Sequence, residues 1–368
     1  MRDTARQAQD NEFNELALEL FELQFRYNSV YQKICKTRGL TSEVVEHWTR
    51  IPAVPTAAFK ELELTCLAPS ECTTVFHSSG TTEQRPSRHF HNAESLAVYE
   101  TSLWKWFQFH FGDAHELIFL TPNQNAAPHS SLVHMFETVR QKLGLPESAF
   151  TGNISDDDSW AVDFAATIKK LKTACDEGKP LTLLGTAFSF VHLLDFLTEN
   201  NLRFHLLPGS SVMETGGYKN RSRTMPKDEL HMLIAEWLGV PQSHIVSEYG
   251  MSELSSQGYD VAVGRAGCPQ PAGERRGGDT APYLCRNFQF PPWARVQIIS
   301  SETNREVADG ETGLIRVFDL ANVFSVMAIQ TEDLGVRHDD GFELLGRAQF
   351  TEPRGCSLMM EGSASSLP

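Results

Sequence analysis

The 368-residue sequence contains no Cys-x-x-Cys pair. Its seven cysteines (Cys35, Cys66, Cys72, Cys175, Cys268, Cys285 and Cys356) are odd in number and scattered, which argues against a structural zinc site or a disulfide framework. Reduced thiols in a reducing compartment are the expectation. Long apolar runs are also missing: the longest, 181–197, is broken by His192 and Asp195 and is too short and mixed to span a bilayer. The opening MRDTARQAQD has no hydrophobic signal region, so a cytoplasmic protein is expected. Basic charge is scarce, with 32 Lys and Arg against 47 Asp and Glu, and no Lys/Arg cluster is long enough to track a phosphate backbone. Nucleic acid is therefore not an expected partner. Two well-known loops are absent as well, the GxxxxGK[ST] phosphate loop and the GxSxG nucleophile elbow.

What is present is an ordinary folding composition, 41% apolar and 21% charged, without the depletion of core formers that marks disorder. From Asn11 to about Lys36, Phe13, Leu16, Leu20, Leu23, Tyr27 and Ile34 recur at helical spacing, which predicts a packed helix in an N-terminal region, 1–50. Pro52 and Pro55 make the segment 51–60 read as an extended arm or rigid linker. Short apolar runs then end in turn residues: 116–122, 181–186 followed by a helical 187–199, 204–208, and 244–249. Strand-then-helix alternation predicts a doubly wound α/β core over 51–261, with its ligand site at the carboxyl ends of the strands. Residues 262–282, rich in Gly, Pro and Arg, read as a flexible loop. The pattern turns to β at 294–299, 313–318 and 325–329, which predicts a β-rich subdomain over 283–347, followed by a mobile tail, 348–368. The aromatic cluster at 104–111 fits core packing of a helix better than a pocket lining.

Three polar stretches carry candidate chemistry. In Phe76-His-Ser-Ser-Gly-Thr-Thr82, Gly80 lets backbone approach an anion, while Ser78, Ser79, Thr81 and Thr82 supply donors for phosphate oxygens. A plain turn has the same look. In Ser247-Glu-Tyr-Gly-Met-Ser-Glu253, Tyr249 offers a stacking face, Gly250 a sharp turn, Ser252 a phosphate donor and Glu253 a Mg²⁺ ligand; a strand end with a helix cap at Ser252 is the plainer alternative. In the third stretch, 330–347, Asp333 suits two ribose hydroxyls or a hairpin turn, and Arg347 suits a phosphate or a turn cap.

SSGTT, YGMSE and TEDLG with GR, in this order and at these separations, resemble the adenylate-forming superfamily that includes acyl-CoA synthetases. The resemblance is closest to the LuxE-type acyl-protein synthetases, the long-chain-fatty-acid–protein ligases known from bacterial bioluminescence. It runs through IPAVPTAAFK (51–60), METGGYKNRSR (213–223), SEYGMSELSSQGYD (247–260), PPWARVQI (291–298), DLANVFSVMAIQTEDLG (319–335) and RGCSL (354–358). It implies an adenylate-forming, ANL-like large domain in which Ser78, Ser79, Gly80, Thr81 and Thr82 cradle ATP phosphates and Tyr249 lies against adenine. Ser252 would contact the α-phosphate, Glu253 would hold Mg²⁺, Asp333 would bind ribose, and Arg347 would sit at the nucleotide edge. The implied reaction activates a fatty or other carboxylic acid to acyl-AMP with release of pyrophosphate. Acyl transfer follows, first to a cysteine of the enzyme, for which the RGCSL match offers Cys356, and then to a partner such as an acyl reductase or carrier protein.

The sequence also departs from the superfamily. Only 21 residues follow Arg347, so the usual C-terminal domain with its catalytic lysine is expected to be missing. The Gly-Lys that usually follows the Thr-Thr pair is replaced by Glu83-Gln-Arg-Pro-Ser-Arg88, leaving Arg85, Arg88, Lys219, Arg221 and Arg223 as candidate phosphate cations. A phenylacetate-type CoA ligase and a non-catalytic acyl- or nucleotide-binding homologue are the rival readings. Acyl chain length is not legible.

Overall fold

The computed structural model describes residues 2–78, 85–112, 116–155, 159–216, 225–262, 286–338 and 341–348. The loop expected at 262–282 (beyond Ala262) and the tail expected at 348–368 (beyond Ala348) lie outside the described residues. Two helices open the chain, α1 (Arg2–Tyr27) and α2 (Ser29–Thr37). The single helix expected over 11–36 is divided by Asn28, whose extended backbone leaves the helix and whose side-chain oxygen accepts the Tyr31 N–H at 3.0 Å. Phe13, Ala17, Phe21 and Tyr31 form its buried stripe. Gln24 and Asn28 share that burial and reach across the chain. Gln24 Nε2 donates to the Asn322 carbonyl at 2.7 Å, and its Oε1 accepts the Met327 N–H at 3.0 Å.

The arm at 51–60 is more than a linker, because β1 (Val54–Pro55) pairs in parallel with Ile329 and Gln330, and α3 (Ala58–Glu61) follows. A hairpin, β2 (Thr74–His77) and β3 (Arg88–His91), flanks the hydroxyl-rich turn. The α/β core then runs α4 (Ala93–Phe111), β4 (Leu117–Phe119) and α5 (Ser131–Lys142), continuing through a small hairpin of β5 (Gly152–Ile154) and β6 (Trp160–Val162) to α6 (Phe164–Glu177). It is completed by β7 (Thr182–Thr186), α7 (Ala187–Glu199), β8 (Ser211–Thr215), α8 (Lys227–Leu238) and β9 (Ile245–Tyr249). Polar residues punctuate the helix starts: Asn92, Ser130, Asp163 and Thr186 each accept a first-turn N–H, a cap worth about 1 kcal/mol apiece. The strand expected at 204–208 does not form. Its backbone N–H groups go instead to the end of α8, Phe204 to the Trp237 carbonyl and Leu206 to that of Leu238, both at 2.9 Å. The third core strand is β8, a few residues later.

The chain closes with β10 (Gly258–Ala262), β11 (Arg286–Gln289), β12 (Ala294–Ile299), β13 (Thr312–Asp319), β14 (Ala328–His338) and β15 (Gly341–Arg347). These strands do not stand apart as their change of pattern suggested. Among the described residues, eleven strands make one sheet, in which the parallel run β4-β7-β8-β9 continues through antiparallel β10, β11, β15, β14, β13 and β12, with β1 alongside β14. Strand alternation divides the parallel part cleanly. Ile118, Leu183 and Val212 pack on one side with α6, α7 and α8, and Phe119, Leu184 and Met213 pack on the other with α4 and α5. Helices therefore cover both faces, the doubly wound arrangement. Within α4, Trp106 and Phe107 are buried, as expected of a packing helix, although Phe109 stands out in solvent.

Candidate active site

The carboxyl end of β9 delivers the central motif. Tyr249 is its last residue, and the turn beyond it carries Gly250, Ser252 and Glu253 back toward β10. Tyr249 is buried, with Phe288, Phe290 and Phe342 set edge-on at centroid distances of 6.0, 6.1 and 5.6 Å. Its hydroxyl donates to Asp333 Oδ2 at 2.8 Å. Asp333 and Arg347 face one another across the β14–β15 ladder, and the Arg347 Nε lies 3.7 Å from Asp333 Oδ1 with its side chain 79% exposed. Burial raises the Asp333 carboxyl above the usual range, opposed by the Tyr249 hydroxyl and the Arg347 charge.

A second chain of contacts runs from the hairpin. The Ser87 N–H donates to Ser78 Oγ at 3.0 Å, and Ser87 Oγ lies 3.3 Å from Ser252 Oγ, which in turn donates to Glu253 Oε2 at 3.0 Å. The His89 ring fixes the same turn from below: Nδ1 sits 2.7 Å from the Ser252 carbonyl, an acceptor only, so Nδ1 carries the proton. Burial lowers His89 to about 4, which keeps the ring neutral. From the far side, Asn322 Nδ2 donates to the Glu253 carbonyl at 2.9 Å, and buried Asp319 receives the Ser255 N–H at 2.9 Å and the Ser256 hydroxyl at 2.7 Å. Burial lifts Asp319 to about 6 despite those donors.

The structure thus gathers Ser78, Tyr249, Gly250, Ser252, Glu253, Asp333 and Arg347 at one end of the sheet. Ser79, Gly80, Thr81 and Thr82 lie outside the described residues, as do Cys356, Lys219, Arg221 and Arg223. Of the cations beside the hydroxyl-rich turn, Arg88 is already committed to Glu63 at 2.9 Å, and Arg85 lies 4.0 Å from Glu61. Sequence reasoning missed the supports Ser87, His89, Asp319 and Asn322. The last two fall inside the DLAN phrase, so a signal was present but its role was not.

Gly250 has a steric reason to be glycine, because a Cβ there would collide with Glu248 Oε1. Gly250→Ala is expected to cost about 1–3 kcal/mol in denaturant unfolding, and an unchanged midpoint would refute this account of the turn. Glu248 is buried beneath that turn, where its Oε2 accepts the Thr215 hydroxyl, and burial raises its carboxyl from 4.5 to about 7. A carboxyl raised on folding stays protonated while the unfolded chain ionises, so its contribution to stability falls as pH rises from about 4.5 to 7. Glu248→Gln should remove that slope, gaining up to about 3 kcal/mol on the parent across this window, and parallel stability curves would disprove the shift.

As for a divalent ion, no group of three His, Cys, Asp or Glu among the described residues could hold one unaided. A single buried carboxylate, Glu253, fits Mg²⁺, which commonly binds through one or two carboxylates plus substrate phosphates. Among the described residues no helix is long and apolar enough to cross a membrane.

Residues 3–262 match the family model for acyl-protein synthetase, LuxE. A long-chain-fatty-acid–luciferin-component ligase of Vibrio harveyi is 23% identical over 351 residues, covering 92% of this chain and 85% of the relative. Its counterpart of the same name in Aliivibrio fischeri is 24% identical over 361 residues, covering 94% and 87%. Among solved structures, a 2-hydroxyisobutyryl-CoA ligase in an open conformation, bound to 2-HIB-AMP and CoA, superposes with a TM-score of 0.64 at 14% identity, over 92% of this chain and 69% of that one. An adenylation domain of a keto acid-selecting NRPS module, bound to keto acyl adenylate, gives 0.50 at 16% identity over 86% and 58%. The fold is that of the adenylate-forming enzymes, and with the family match over most of its length the chain belongs to the LuxE acyl-protein synthetases and is a ligase.

Proposed function

We propose that this ligase uses ATP and Mg²⁺ in the cytoplasm to activate a fatty or other carboxylic acid, then carries the acyl group on Cys356 to a partner protein, an acyl reductase or carrier. The observation that carries the reading is the meeting of three segments, 78–89, 249–253 and 333–347, on one end of the sheet through a continuous set of polar contacts. In the first step a carboxylate oxygen attacks the α-phosphorus of ATP, the bond to the bridging oxygen breaks, and pyrophosphate leaves. Such chemistry asks mainly for alignment and for neutralisation of charge. Ser78, with Ser79, Gly80, Thr81 and Thr82, would contact the phosphates, and Ser252, held by Glu253 and Ser87, would contact the α-phosphate. Asp333 would take the ribose hydroxyls, Tyr249 would lie at the adenine, and Arg347 would lie at the nucleotide edge. Mg²⁺, held at Glu253, would supply positive charge to the departing pyrophosphate. In the second step the Cys356 thiolate attacks the acyl carbon and AMP leaves.

The relatives are named for long-chain fatty acids, which makes that class the first to test. Exchange of labelled pyrophosphate into ATP should require both Mg²⁺ and an added carboxylic acid. Binding of ATP with a Mg²⁺-dependent thermal shift, but no exchange with any acid, would overturn the proposal in favour of a non-catalytic homologue.

A further inference from the structure

Among the described residues, eight buried side-chain nitrogen or oxygen atoms have no hydrogen-bond partner. Six of them belong to one layer, between the parallel strands and the helices α4 and α5: His91 Nε2, Trp106 Nε1, His110 Nε2, Thr121 Oγ1, Gln257 Oε1 and the Tyr259 hydroxyl. Trp106 and Tyr259 pack in that layer's core, and His110 joins them, its ring 4.5 Å from Trp106 and 4.9 Å from Tyr259. Strand alternation turns Gln257 to the side of Tyr259, and Thr121 to the side of Phe119. His91 meets the same layer through Tyr99, ring to ring at 5.9 Å. The layer adjoins the site, since Tyr259 is the ladder partner of Glu248, one residue before Tyr249.

Buried polar atoms in native interiors are nearly always paired, and a concentration of exceptions calls for a missing partner. These six are chemically mixed. Trp106 Nε1 only donates, Gln257 Oε1 only accepts, and the Tyr259 and Thr121 hydroxyls do either. An alkyl chain pairs with none of them, whereas a hydroxyl donates and accepts. We propose that this layer is the acyl subsite and that the acid it takes bears hydroxyl groups along its carbon skeleton.

The inference rests on the acid-activation reading, and the test separates the two. Pyrophosphate exchange is measured on the full chain with matched pairs: decanoic acid and its terminally hydroxylated analogue, and benzoic and para-hydroxybenzoic acid. In at least one pair the hydroxylated member should exceed its partner in kcat/KM by about 100-fold or more, because a site built to pair a hydroxyl discriminates strongly against its loss. Tyr259→Phe should shrink that ratio at least tenfold, and Trp106→Phe provides a second, independent variant should the first fold poorly. Equal or better exchange with the unsubstituted acids in both pairs would overturn the subsite while leaving acid activation standing; the six atoms would then hold water only. If no acid supports exchange but hydroxylated acids alone still raise the melting temperature, the subsite stands and the activity falls. Neither exchange nor a thermal shift would overturn both.

Discussion

Cys356→Ala protein, given ATP, Mg²⁺ and an activating acid, should release pyrophosphate yet carry no acyl adduct. The parent should show a hydroxylamine-labile mass increase under the same conditions, so the expected effect on the adduct is complete loss. The physical argument is one of nucleophilicity and reach. A thiolate attacks a mixed anhydride well, but only where its pKa permits ionisation. Burial pushes the Cys35 thiol up to about 11 and that of Cys66 to about 12, and it raises Cys72 and Cys175 as well, so all four described thiols are poor nucleophiles. Cys356 follows Arg354 by two residues and Arg347 by nine, and nine extended residues span about 30 Å. Persistence of the adduct in Cys356→Ala would move the acceptor elsewhere, with Cys268→Ala and Cys285→Ala as the next variants. Acceleration by free CoA with formation of acyl-CoA would point to the phenylacetate-type reaction instead.

Glu253→Gln should lower pyrophosphate exchange by about 100- to 1,000-fold, the scale of removing one element of transition-state charge stabilisation. Thermal stability should barely move. Glutamine keeps the shape of the side chain and an oxygen to accept the Ser252 hydroxyl, and the turn is held independently by His89 and Asn322 on its carbonyls. Raising Mg²⁺ should recover part of the loss if the carboxylate acts through the ion. A large drop in melting temperature with proportionate loss of activity would instead mark Glu253 as a structural carboxylate.

Local chemistry in this chain was easier to read than its long-range ties. The helix at 187–199 and the strand at 294–299 appear with the expected limits, because each carries its own period and a clear boundary, Thr186 capping the first. The site motifs were legible for the same reason, each being a short polar run after an apolar strand. What the pattern concealed was pairing at a distance. The stretch 204–208 is as apolar as a strand, but the end of α8 takes its N–H groups, while β8 lay hidden in a segment noticed only for its motif. Gln24 and Asn28 read as interruptions of an apolar stripe, yet they satisfy backbone some 300 positions away, which no local period encodes.

That same clasp between the first helix and the 322–327 segment has a consequence for biogenesis. The amino-terminal helices leave the ribosome first, but the surface they pack on is made almost last. At about 5–20 residues per second the wait is roughly a quarter of a minute to a minute. During it the aromatic stripe of Phe13 and Phe21 has no native cover, so the nascent chain is a natural client for a chaperone, and the nucleotide end of the sheet is assembled only as translation finishes.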